Sequence, residues 1–60
     1  SGFLEKIVSE VVAQNPDQAA QVRGGKLPVL KWFVGQVMKA SAGKTNPASA
    51  EEELKKQLGL

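Results

Sequence analysis

The side chains best placed to do chemistry lie between Gly24 and Pro47, in the stretch GGKLPVLKWFVGQVMKASAGKTNP. On a helix of 3.6 residues per turn, Lys31 and Lys39 stand four residues either side of Gly35, with Trp32 three before it. Two ammonium groups and an indole then surround a position that has no side chain. Arg23, Lys26 and Lys44 extend the set, so that from Gln18 to Ala50 there are five positive charges and no acid. All 6 acids lie in the flanks, at Glu5, Glu10, Asp17 and Glu51 to Glu53. The net charge of +2 therefore hides a middle segment able to attract an anion. Lysines neutralise phosphates and an exposed ring stacks on a base, which makes nucleic acid a compatible partner; scattered lysines can equally do no more than keep a small domain soluble. Trp32 has two readings as well, contact with a ligand or packing beneath the first or last helix. So does Gly35. A mid-helix glycine costs about 1 kcal/mol against alanine, which either a close helix crossing or the close approach of an outside partner would offset.

Covalent and metal chemistry have less to work with. The chain contains no cysteine and no histidine, so Ser9, Ser41, Thr45 and Ser49 lack an imidazole or thiol partner, and disulfides and Cys/His zinc sites are excluded by inventory. Glu51, Glu52 and Glu53 are consecutive, and successive helical side chains point about 100° apart, so they do not converge on a cation. Gly43-Lys44-Thr45 lacks the upstream glycine spacing and the preceding strand of a phosphate-binding loop. The residues predict no catalytic site, no metal and no cofactor. No apolar run approaches the roughly 20 residues that span a bilayer, and no signal peptide is visible, so the expected setting is cytoplasmic and away from membranes.

The elements that must position these residues are helical. A chain of 60 residues makes one small domain, here residues 3–60, with Ser1 and Gly2 set aside as an expression remnant. The expected fold is all-α, a small bundle of three to four short helices, monomeric when isolated. Phe3 to Gln14 reads as the first helix, with Phe3, Leu4, Ile7, Val8 and Val11 on its apolar face and Lys6/Glu10 as an i,i+4 pair. Asn15-Pro16 ends it and starts the next: Asn15 is expected to cap, with Gln18 completing a capping-box-like pattern, and Gly24-Gly25 to stop the helix after Arg23. Pro28 fits the first turn of a third helix running to about Ala42, with Gly43 allowing a left-handed exit. Its core stripe is Leu30, Phe33, Val34, Val37 and Ser41, flanked by Val29 and Ala40. Asn46-Pro47 repeats the cap-plus-proline device before a last helix with Ala50, Leu54 and Leu58 on one stripe and Glu51/Lys55 and Glu52/Lys56 as pairs.

At Val34-Gly35-Gln36-Val37-Met38-Lys39, followed by Gly43-Lys44 and Asn46-Pro47, the sequence resembles the tail domain of the GatB/YqeY family. The likeness extends upstream through Gly25-Lys26 and Asn15-Pro16 and so covers nearly the whole chain. That family occurs at the C-terminus of the B subunit of the tRNA-dependent amidotransferase, in free-standing YqeY-like proteins, and as an appendage of some glutaminyl-tRNA synthetases. The resemblance implies a helical module that grips tRNA away from the catalytic chemistry, with tRNA and the parent enzyme's domains as partners. Carried over by position, it implies RNA contacts for Gly25, Lys26, Lys39, Gly43 and Lys44, and a hydrogen-bonding role for Gln36. Joined to Arg23, Lys31, Trp32 and Gly35 from the charge and wheel pattern, these make the candidate site. The chain departs from the family where Val22 replaces a common aromatic, where Ala42 replaces a common lysine, and where Lys31 replaces a small residue. A rival reading keeps the fold and makes the Trp32/Gly35 face a docking surface for the parent protein.

Overall fold

Proline and glycine cut the chain into four helices: α1 (Gly2–Gln14), α2 (Pro16–Arg23), α3 (Leu27–Ala40) and α4 (Pro47–Leu58). The structure, a computed structural model, describes residues 2–60. Ser1, set aside above as a remnant, lies outside the described residues, whereas Gly2 is the first residue of α1. No strand occurs among the described residues, and the all-α expectation holds.

α3 is the central element and packs against each of the other three helices. It buries Leu30, Phe33 and Val37, while α1 supplies Val8 and Val11, α2 supplies Ala19 and Val22, and α4 supplies Ala50, Leu54 and Leu58. Phe33 and Leu54 are the largest of the fully buried side chains. Ser41 is buried too, and its hydroxyl donates to the Met38 carbonyl at 3.2 Å, so the polar end of the stripe is satisfied locally. Two residues expected on core faces lie outside. Phe3 is 53% exposed, because the row it shares with the half-buried Ile7 runs along the margin of the core, and Leu4, Val8 and Val11 face the centre. Ala40 is exposed because α3 ends there, before Ser41 turns inward.

The helix ends repeat one device. After α2, the Lys26 N–H donates to the Gln21 carbonyl at 2.9 Å and the Gly25 N–H to Val22 at 3.0 Å, with Gly25 at φ +102°. After α4, Leu60 N–H donates to Lys55 and Gly59 N–H to Lys56, with Gly59 at φ +79°. Both are Schellman motifs, which satisfy the last carbonyls of a helix through one left-handed residue. α3 ends the same way, Gly43 N–H donating to Met38 at 2.9 Å and Ala42 N–H to Lys39 at 3.2 Å, but its left-handed residue is Ala42, at φ +55°. The helix therefore stops at Ala40, short of the expected Ala42, and the left-handed exit assigned to Gly43 begins one residue earlier.

The two Asn-Pro sites behave differently. Asn46 Oδ1 accepts from the Ala48 N–H at 2.7 Å and the Ser49 N–H at 3.4 Å, a true N-cap. Asn15 does not cap α2: its Nδ2 turns back and donates to the Val11 carbonyl at 2.8 Å, satisfying the end of α1 instead. Side chains also tie the bundle across its helices. Arg23 Nε donates to the Leu58 carbonyl at 3.2 Å, and Gln57 Nε2 to the Glu5 carbonyl at 3.0 Å. Among the described residues, Glu51–Lys55 closes as an ion pair at 3.6 Å, whereas Lys6/Glu10 and Glu52/Lys56 do not, consistent with the small gain from holding exposed charges together.

This packing makes two substitutions informative about stability. Phe33→Ala removes the largest side chain at the centre and should cost about 3–5 kcal/mol, abolishing the cooperative helical melt seen by circular dichroism. Ala42→Gly should raise stability by about 1 kcal/mol, read as a higher midpoint in the same melt, because glycine occupies the left-handed position without the Cβ clash.

Candidate nucleic-acid interface

Because Leu30, Phe33 and Val37 fix one side of α3 in the core, Lys31, Gly35 and Lys39 are forced onto the opposite side, and all three are exposed. Lys26 occupies the position before α3 and Lys44 follows its exit turn. A helix of 14 residues is roughly 21 Å long, so Lys26 and Lys44 bracket that length while Lys31 and Lys39 lie along it. Among the described residues none of these four ammonium groups is in an ion pair or a side-chain hydrogen bond. Their charge is turned outward.

Gly35 has a definite geometry. A Cβ built on it would meet no atom within 4 Å, which removes the close helix crossing as its explanation. The notch opens to the outside between Lys31 and Lys39. Trp32 is partly buried and 40% exposed: its ring meets Phe33 edge to face, with centroids 5.2 Å apart and planes at 72°. The rest of the indole lines an open groove of about 360 Å³ between α2 and α3, together with Gln18, Gln21, Pro28 and Val29.

The other expected site residues divide. Arg23 is exposed, yet its Nε is engaged by the Leu58 carbonyl, so it closes the end of α4 as well as carrying charge. Gly25 and Gly43 owe their places to positive φ at helix exits, which needs no ligand. Gln36 is half-buried beside the core stripe. Val22, which stands where the resembling family often has an aromatic, is fully buried, so that departure falls on the core and leaves the lysine face unaltered. Gln18 and Gln21 were absent from the expected site, and no pattern on α2 alone marks them; only the meeting of α2 with the first turns of α3 creates their groove. Among the described residues, no group of three acidic, histidine or cysteine side chains could hold a metal, and no helix is long and apolar enough to cross a membrane.

Fold and surface together define the class: a small all-α module with a buried side and an acid-free, lysine-lined side on the same central helix. The chain belongs to the GatB domain family, whose model matches residues 1–58. It is 58% identical over 59 residues to the B subunit of the aspartyl/glutamyl-tRNA(Asn/Gln) amidotransferase of Nitrobacter hamburgensis, covering 98% of this chain and 12% of that protein. The corresponding protein from Azorhizobium caulinodans is 52% identical over 60 residues, covering 100% of this chain and 12% of the relative, and that from Rhodopseudomonas palustris CGA009 is 54% identical over 57 residues, covering 95% and 11%. The chain thus spans about an eighth of the length of the relatives it matches. No solved structure matches it.

The open space at Gly35 yields a prediction. Gly35→Ala should raise the stability of the domain by about 1 kcal/mol, since the methyl group meets nothing and the helix gains propensity; thermal melts of the two proteins measure the difference.

Proposed function

We propose that this domain is a tRNA-binding accessory module at the C-terminus of the B subunit of a tRNA-dependent amidotransferase. It supplies grip and no catalytic group. The observation that carries this reading is the outward face of α3, where Lys31 and Lys39 flank the side-chain-free Gly35, with the exposed Lys26 and Lys44 just beyond the two ends of the helix and none of the four in an ion pair among the described residues. A folded RNA is recognised chiefly by its shape and sugar–phosphate backbone, which four spaced ammonium groups suit and a base-reading code is not needed for. The notch at Gly35 lets a backbone come closer to α3 than any side chain would allow. Membership of the family and the likeness to amidotransferase chains support tRNA as the RNA, the other domains of the parent chain as the neighbours, and the cytoplasm as the setting.

The test is titration of fluorescently labelled tRNA at two salt concentrations. With roughly three to five phosphates neutralised, the log–log salt slope should be about −2 to −4, and Lys26→Ala, Lys39→Ala and Lys44→Ala should each reduce it by up to about 1. Lys6 on α1 and Lys55, paired with Glu51, are the controls and should change little. Gly35→Ala should weaken binding while raising stability, a combination that a purely structural glycine would not produce. Indifference to the three central lysines would defeat this surface. Salt-insensitive binding to the remainder of the parent chain, lost on altering the Trp32/Gly35 face, would replace it with protein docking.

A further inference from the structure

The lysine face explains attraction to a phosphate backbone but leaves the groove beside it without a use. Its walls are specific. Trp32, Pro28 and Val29 of α3 line it with apolar surface, and Gln18 and Gln21 of α2 line it from the other helix. Neither glutamine amide forms a hydrogen bond among the described residues, so each keeps both a donor and an acceptor to offer. Phe33 meets the indole edge to face at 72°, and Trp32 stays 40% exposed. The groove, at about 360 Å³, is at the small end of the ~300–1,000 Å³ range of ligand sites. None of the residues lining it is charged, Lys31 immediately precedes Trp32, and the nearest acid in the sequence is Asp17, in the first turn of α2.

We propose that this groove seats one unpaired nucleobase, adenine above others, extruded from a loop of the RNA whose backbone lies on α3; the inference rests on the RNA reading above and assigns a second element of that surface. The chemistry is complementary at each part. A planar base stacks on the indole and the Pro28 ring, and its donor–acceptor edge meets glutamine amides, the side-chain type that pairs with the N6 and N7 of adenine. Lys31, next in sequence to Trp32, offers the attached phosphate an ammonium group. An apolar peptide side chain would use the apolar lining but would leave the two amides and the neighbouring lysine unused. RNA offers such bases in its single-stranded loops, where proteins habitually stack them on aromatic rings.

The experiment uses Trp32 as its own reporter, since the chain has one tryptophan and no tyrosine. Single-stranded oligoadenylate, an abasic ribose–phosphate oligomer of equal length and an uncharged leucine-rich peptide are each titrated against the 60-residue protein while tryptophan emission and binding of a label are followed. Oligoadenylate should bind and quench Trp32, and the abasic oligomer should bind without quenching. Stacking at roughly 1–3 kcal/mol per base predicts that Trp32→Leu weakens oligoadenylate binding by about 5- to 150-fold and leaves the abasic oligomer unaffected, with Trp32→Phe intermediate. Gln18→Ala with Gln21→Ala should reduce the preference for oligoadenylate over oligouridylate while Trp32 remains available for quenching. Binding of oligoadenylate without quenching, or quenching equalled by the leucine-rich peptide, overturns the base seat and leaves the lysine face standing. Failure of every RNA, tRNA included, to bind overturns both.

Discussion

Everything in this domain depends on the burial of Phe33. It is the largest of the fully buried side chains, it sits on the helix that packs most extensively against the other three, and in a chain of 60 residues nothing covalent supplements it. Placing Phe33 inward sets the rotation of α3, and the rotation of α3 decides which residues face water. Leu30 and Val37 follow it into the core; Lys31, Gly35 and Lys39 are carried outward by the same helical period. The core and the proposed binding surface are two sides of one element, and neither can be rotated without the other.

That economy explains why the ends of the helices are so fully closed. A small bundle has few apolar contacts to spare for frayed turns, and α2, α3 and α4 each finish in a Schellman motif that uses their last carbonyls. Arg23 and Gln57 add hydrogen bonds between elements far apart in sequence, joining α2 to the end of α4 and α4 to the first half of α1. Of these exits, that of α3 is the strained one, because alanine rather than glycine holds the left-handed position. It is also the exit nearest the lysine that ends the basic row, Lys44.

Much of the fold was legible because proline and glycine act through the backbone, and backbone rules are local: Asn15-Pro16, Gly24-Gly25, Pro28, Gly43 and Asn46-Pro47 mark helix boundaries whatever surrounds them. The errors fall where a local rule had more than one outlet. Asn15 can serve the helix before it or the one after it, and its amide donates to Val11 behind, while Asn46 accepts from Ala48 and Ser49 ahead. Phe3 fits the apolar period of α1 but that period cannot say where the core stops. At the candidate site the sequence marks the lysines, since an acid-free run is visible in one dimension. Whether Gly35 faced a neighbouring helix or open space was not legible, and the groove of Gln18, Gln21 and Trp32 exists only once α2 has folded against α3.

The bond from Gln57 to the carbonyl of Glu5 brings the last turn of α4 beside the opening turns of α1. The four helices consequently form a near-closed circuit, in which the order along the chain is one cut through a ring. A ring can be cut elsewhere: with α4 spliced to α1 and the chain opened in the exposed turn at Gly43 and Lys44, each helix would keep its neighbours. Connectivity in this domain is thus separable from architecture, and α3 could be set at the free end of a rearranged chain with its buried side unchanged.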